Sequence, residues 1–447
     1  MMLATARPIV YRGRVRSMRA RLPAALLAAL LLPLLPAAFA AADVTLTLKA
    51  FPVGCEVSID GVAAKPLTTQ GALRTFRLPK ALFFIGLSAP GYLPRDIVVE
   101  LSGDTLIEAK LEREGSGLVW AAEMSTGRQP KSVEYTPDGR YILSALLEGT
   151  GIDVFDAQTF TKITTLVPPD PWPKSMGFVE IAFLPGRGEL WVTQMHACVV
   201  HAFRLADFSY VDTFKAGGLW PKVIAVSPDE RTAYVSNWES KNVSLIDTAS
   251  RAVTSHIAMG GIPRGMAFSR DGRFLYVCIY EPGSLVKVDL ATNGIVKTIT
   301  VGSSALRHVV LHPTRDVLYV SDLLHGRVFA IDTATDTVVA RAVVDTCLNT
   351  IRVSPDGERL FACSRGPNNP VNWTTKGPAF GKLYSLDPLT LAVTDWAWGG
   401  NQPTGLGISP DGRFVCFSDF LDARLEVYEI APAVEAPAAI APAASGR

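Results

Sequence analysis

The sequence predicts an all-β protein: a ring of seven four-stranded blades preceded by a small β-sandwich. One phrase recurs seven times at intervals of 42 to 55 residues, consisting of an apolar strand, a Pro-Asp-Gly type turn, a second apolar strand and later an Asp-Thr type turn. Equivalent positions also keep their chemistry. The residues before each first turn are Pro137, Pro185, Pro228, Arg270, Pro313, Pro355 and Pro410. Eight residues further on stand Ala145, Thr193, Ser236, Cys278, Ser321, Cys363 and Ser418, each small enough to end a crowded strand. Nineteen residues on is an acid in five repeats, Asp156, Asp247, Asp289, Asp332 and Glu429; the sixth carries it later as Asp387, and the second has Arg204 instead. Repeats of this length, built from short strands and Gly/Pro/Asp turns, signal a radial β-propeller.

The last repeat stops near Ile430 after three strands, so its fourth strand must come from elsewhere. Residues 117–128 supply the pattern: Val119-Trp120-Ala121 then Gly127-Arg128-Gln129-Pro130 matches Val393-Thr394-Asp395-Trp396 then Gly400-Asn401-Gln402-Pro403. Closure by that strand removes the exposed sheet edge that would invite aggregation.

The phrases Ala233-Tyr234-Val235-Ser236-Asn237, Leu318-Tyr319-Val320-Ser321-Asp322 and Leu275-Tyr276-Val277-Cys278 resemble the YVTN family of bacterial β-propellers, over about residues 117 to 430. The resemblance implies an exported seven-bladed ring. Related rings host lactonases and redox subunits, so activity has to be argued from the site.

The flanking segments read differently. Arg19 and Arg21, an apolar run from Leu22 to Leu35 and then Ala38-Phe39-Ala40 follow the order of a cleavable signal peptide, residues 1–40, with Met18 as an alternative start. Residues 43–113 carry β-branched strands and the hairpin dipeptide Asp60-Gly61. Pro52-Val53-Gly54-Cys55-Glu56-Val57-Ser58-Ile59-Asp60-Gly61 followed by Ala89-Pro90-Gly91-Tyr92 resembles a PEGA domain, which implies an interaction module in contact with the cell envelope. Residues 431–447 are rich in Ala and Pro and are expected to be a disordered tail. The expected location is periplasmic or secreted, with no membrane span after signal cleavage.

A formal net charge of +1 gives no global attraction to nucleic acid or anionic lipid. The six cysteines do not form a framework, and only Cys347 and Cys363, near one end of the sixth blade, suggest a disulfide. No haem, zinc, nucleophile-elbow or phosphate-loop motif is present, and the scattered histidines form no ligand pair, so no cofactor, metal or catalytic residue is assigned.

Chemistry is expected on the face where the loops between second and third strands and between blades emerge. Six residues before each anchor stand Lys131, Val179, Lys222, Arg264, Arg307, Asn349 and Thr404, four of them cations, at the start of the innermost strands. Two cations about 10 Å apart repel by roughly 1.7 kcal/mol at an effective dielectric near 20. Nine residues after the anchors, Asn237, Asp322 and Asp419 offer oxygen atoms that pair with those cations or hold a hard cation. An insertion in the sixth repeat, residues 364–381, brings Arg365, Asn368, Asn369 and Trp373, with Trp220, Trp238 and Tyr280 on the same face. The expectation is a non-enzymatic binding or scaffold protein holding an anionic small molecule or a protein or peptide partner at this mouth. The alternatives are a lactonase-type hydrolase using a metal at the mouth, and a redox subunit docking a cofactor-bearing partner.

Overall fold

The computed structural model describes residues 43–169, 177–302 and 304–431; the expected leader (1–40) and all but the first residue of the expected tail lie outside the described residues. The described residues form nine four-stranded sheets, and their one helical element is a 3-10 turn at Pro185–Arg187. The chain divides into two compact units, Met1–Glu114 and Gly115–Arg447.

In the first unit one sheet runs Thr68–Gln70, Leu73–Leu78, Val44–Phe51, Thr105–Lys110, and the other Val62–Ala63, Glu56–Ile59, Leu82–Ser88, Arg95–Glu100. Strand alternation builds the core. Phe83, Ile85 and Leu87 turn inward to meet Leu46, Leu48, Phe76 and Ile107 in one apolar cluster, while Leu82 and Phe84 face outward. Asp60 and Gly61 both adopt positive φ (49° and 77°) and join Glu56–Ile59 to Val62–Ala63, the conformation that a two-residue hairpin needs.

The second unit contains seven sheets, each an antiparallel meander. Their innermost strands are Glu134–Tyr135, Phe178–Leu184, Pro221–Val226, Pro263–Phe268, Leu306–Leu311, Leu348–Val353 and Pro403–Ile408. Six sheets are contiguous in sequence. The seventh is completed by Leu118–Ser125, which pairs antiparallel with Arg424–Ile430 from Leu118↔Ile430 to Ser125↔Arg424. Each apolar cluster joins two consecutive sheets, and one joins the last to the first: Cys416, Leu425, Val427 and Met124 pack on Tyr135, Ile142 and Phe155.

Turn chemistry explains the recurring phrase. In five repeats a hydroxyl (Thr136, Ser227, Ser269, Ser354, Ser409) donates to the Oδ1 of the Asp two residues on, within 2.6 Å. That Oδ1 then accepts the backbone N–H two residues further along. In the fifth repeat His312 Nδ1 takes this place by accepting the N–H groups of Thr314 and Arg315. The later acids Asp156, Asp247, Asp289, Asp332 and Asp387 accept the N–H three residues on and close the hairpin to the outermost strand.

The expected disulfide does not form. Leu348 pairs with Ser364, which sets Cys347 opposite Arg365 rather than opposite Cys363. Cys363 instead packs among Phe361, Leu383 and Phe417, and both thiols are free.

Candidate functional site

Within the second unit, loops and inner-strand starts enclose a cavity of about 560 Å³. Lys131, Lys222, Arg264, Arg307 and Arg365 all line it, with Trp220, Trp238, Tyr280, Trp373 and Asn368. Val179, Asn349 and Thr404, at the same repeat position as the four inner-strand cations, do not. Asn349 lies behind the wall, where its Oδ1 accepts a hydrogen bond from Arg307 Nε. Among the described residues the one carboxylate in the lining is Glu148, which is engaged by Arg128 at 2.6 Å.

Aromatic rings stand where carboxylates would be expected. Arg264 Cζ lies 5.0 Å from the Trp238 ring centre, and Lys222 Nζ lies 5.3 Å from Trp220 and 5.7 Å from Trp238. Arg365 Cζ lies 5.6 Å from Trp373, and Lys131 Nζ 5.0 Å from Phe420. A ring face attracts a cation but accepts none of its in-plane hydrogen bonds, so the charges are held while their donors stay available. Among the described residues, Nε of Arg264 and Nε of Arg365 are buried without a hydrogen-bond partner. Arg365 also donates to Gln402 Oε1, and Lys222 Nζ approaches the Met195 sulfur.

Burial is the main influence on every one of these charges. It pushes Lys131 well below the usual lysine range, helped by the charges of Arg365, Arg264 and Lys222 and opposed by Glu180. It brings Lys222 down to about 7, with Arg264 adding to the fall and Glu239 opposing it. Arg264 falls to about 10, again through burial. Arg365 is lowered for the same reason.

The inner strands carry a second set of buried charges, interacting with these cations, that the repeat positions did not single out. Burial raises Glu134 to about 7, although it is salt-bridged to Arg352. It also raises Glu180, against the pull of Arg352, Arg264 and Lys131. His308 is driven down to about 3 by burial and by the charges of Arg352 and Arg264.

Asn237, Asp322 and Asp419, expected to pair with the mouth cations or to ligate a cation, do neither. All three are fully buried at the end of a second strand. Asp322 accepts Arg327 Nε at 2.8 Å and the Ala305 N–H; Asp419 accepts Arg424 Nε at 2.8 Å and the Gly400 N–H; Asn237 Nδ2 donates to Asn242 and Ser244. In each case the first partner lies five residues on, directly across the same hairpin. Among the described residues no three His, Cys, Asp or Glu side chains gather as a metal site would require.

The inserted loop is tied down. Asn369 is half-buried and serves the loop itself, donating to the Lys376 carbonyl and accepting the Val371 N–H. Lys376 pairs with Asp422 at 2.8 Å, Gln402 Nε2 donates to the Trp373 carbonyl, and the Trp373 ring stacks on Phe420 at 6.1 Å. Further lining comes from Gln129, Leu147, Met195, His196, Leu323 and Thr374. A backbone feature lies behind part of it: eight residues before four of the anchors, Gln129, Trp220, Cys347 and Gln402 all hold positive φ between 53° and 62°. Gln129 and Trp220 thereby enter the lining, and Gln402 braces both Arg365 and Trp373.

No protein-family model matches the chain. Over 325 residues it is 35% identical to Antigen Lp49 of Leptospira interrogans serovar copenhageni, a match that covers 71% of each chain. The chain belongs to the Lp49 antigen family. Among solved structures it is similar to hydrazine synthase of Kuenenia stuttgartiensis, with a TM-score of 0.58 and 20% identity, covering 68% of this chain and 97% of that one. At that identity the likeness shows the fold alone, one of propeller type, and this Lp49-family member is an all-β protein of that kind. None of its described helical segments is long and apolar enough to cross a membrane.

Proposed function

We propose that this Lp49-family chain is an exported, non-enzymatic binding protein whose second unit is a seven-bladed ring of YVTN type, and that its cationic cavity takes an anionic ligand. The observation that carries this reading is five cations converging on one cavity whose single lining acid, among the described residues, is already paired. Gathering desolvated cations costs free energy, and an anion that accepts their free N–H groups relieves it. The word antigen in the relative's name supports a surface or secreted location, as does the expected leader. The first unit, on its PEGA-like phrases, is read as the part that contacts the cell envelope.

The test is titration calorimetry of the intact mature protein against phosphates, uronic acids, citrate and acidic peptides, beside Arg264→Gln. The expected result is binding of at least one anion by the unmodified protein and its loss in Arg264→Gln, with stability unchanged or higher. No binding by the unmodified protein together with a destabilised variant would leave the ring as a scaffold.

A further inference from the structure

We propose that the cavity selects a phosphorylated saccharide, with the phosphate seated among Lys131, Lys222, Arg264 and Arg365 and the sugar ring against Trp220. This rests on the anion-binding reading above and narrows it.

The charge argues for phosphate over carboxylate. A uronic acid carries one negative charge that a single Arg fork satisfies, whereas a phosphate monoester carries close to two charges and three strong acceptor oxygens. Five lining cations, with buried donors at Arg264 and Arg365 still free, match the second inventory.

The size and neutral wall argue for more than inorganic phosphate. About 560 Å³ is ordinary small-molecule space, and Gln129, Asn368 and Thr374 add neutral hydrogen-bonding groups suited to hydroxyls. Trp220 is 39% exposed, so an apolar sugar face has a ring to rest on.

The ring geometry argues against a nucleobase sandwiched between two rings. Such a slot needs parallel rings, but Trp238 and Tyr280 meet at 45°, Arg264 and Lys222 both crowd Trp238, and Trp373 is already stacked on Phe420. No open parallel slot exists among these rings. The phosphorylated sugar can be a free molecule or the headgroup of an envelope glycolipid, since the seat would recognise the same atoms in either.

The experiment titrates the intact mature protein with glucose 6-phosphate, galacturonate and inorganic phosphate in calorimetry. In parallel it measures flotation with phosphatidylcholine vesicles, with and without monophosphoryl lipid A. The expected result is that glucose 6-phosphate or the lipid A vesicles bind, the sugar phosphate tighter than galacturonate by roughly tenfold or more. Trp220→Ala should weaken the sugar phosphate by about tenfold while leaving inorganic phosphate within about twofold. Binding to glucose 6-phosphate identifies a free ligand, and binding only to the lipid A vesicles identifies a headgroup. Galacturonate binding as tightly as glucose 6-phosphate would overturn the phosphate assignment. Inorganic phosphate matching the sugar phosphate, or Trp220→Ala changing neither, would overturn the saccharide assignment. If uronates or citrate bind and no phosphate does, this inference fails and anion binding stands; if nothing binds, both fail.

Discussion

Replacing Lys222 with Met should make the protein more stable near neutral pH, although it removes a residue from the wall of the cavity. Lys222 is drawn down from the ordinary lysine value of 10.5 to about 7, chiefly by burial and then by Arg264. At about 1.4 kcal/mol per pKa unit this corresponds to a cost on the order of 4 kcal/mol for holding the charge in the fold at pH 7. The rings of Trp220 and Trp238 return roughly 0.5–1 kcal/mol each, and solvent still touching the side chain trims the cost further. Met keeps the length and apolar stem, so the net gain is about 2 kcal/mol, or a few degrees in Tm for a unit of this size. The pH dependence gives a sharper test than the magnitude. Because the folded value is depressed, wild-type stability rises as pH climbs from about 7 toward 10.5, and the advantage of the variant shrinks over that window. Lys131 and Arg264, also drawn down by burial, are present in both proteins, so their titrations largely cancel in the difference. Thermal unfolding of both proteins at pH 6, 7, 8.5 and 10 measures it. A Lys222→Met protein less stable at pH 7, or a gain that does not change with pH, would refute the reasoning.

Other perturbations test the remaining contacts. Arg352→Met strands buried Glu134 beside Glu180 and should cost roughly 3–5 kcal/mol at pH 8. The loss should be smaller at pH 5, where Glu134, raised to about 7, is already protonated; chemical denaturation at the two pH values reads the difference. Asp419→Asn should destabilise by about 1–3 kcal/mol, since Arg424 keeps Asp422, Glu426 and Glu123, and should leave anion affinity unchanged in calorimetry. Deleting residues 1–126 removes the strand that completes the seventh sheet and should lower the unfolding midpoint far more than deleting residues 1–113; equal midpoints would contradict closure by Leu118–Ser125.

The strand pattern was legible because it follows from turn chemistry. Ser-Pro-Asp-Gly and Asp-Thr phrases carry their own hydrogen bonds, so the sheets could be counted from sequence. The mouth cations were legible for a related reason: Lys131, Lys222, Arg264 and Arg307 share one repeat position and reach one cavity. Glu180 and Glu134 were not, because the inner strands carry a register shift near their start, as between Phe178 and Ile181 or Pro263 and Met266. A shift of one residue exchanges the faces, so simple alternation cannot say which neighbour turns to which side of the sheet. Asp322 and Asp419 were misread for want of a local signal that was present. A polar residue five positions on, Arg327 or Arg424, lies directly opposite across the hairpin and claims the carboxylate. Cavity walls set by positive φ, as at Trp220 and Gln129, carried no sequence mark that singles out a non-glycine residue.

The central claim is that an anion occupies the cavity ringed by Lys131, Lys222, Arg264, Arg307 and Arg365. Crystals of the mature protein soaked in selenate, a tetrahedral dianion with an anomalous signal, test it most directly. The account predicts a strong anomalous peak inside the cavity, within hydrogen-bond reach of Arg264 and of Lys131 or Lys222. Peaks confined to exposed lysines and arginines elsewhere, with the cavity filled only by water, would contradict it.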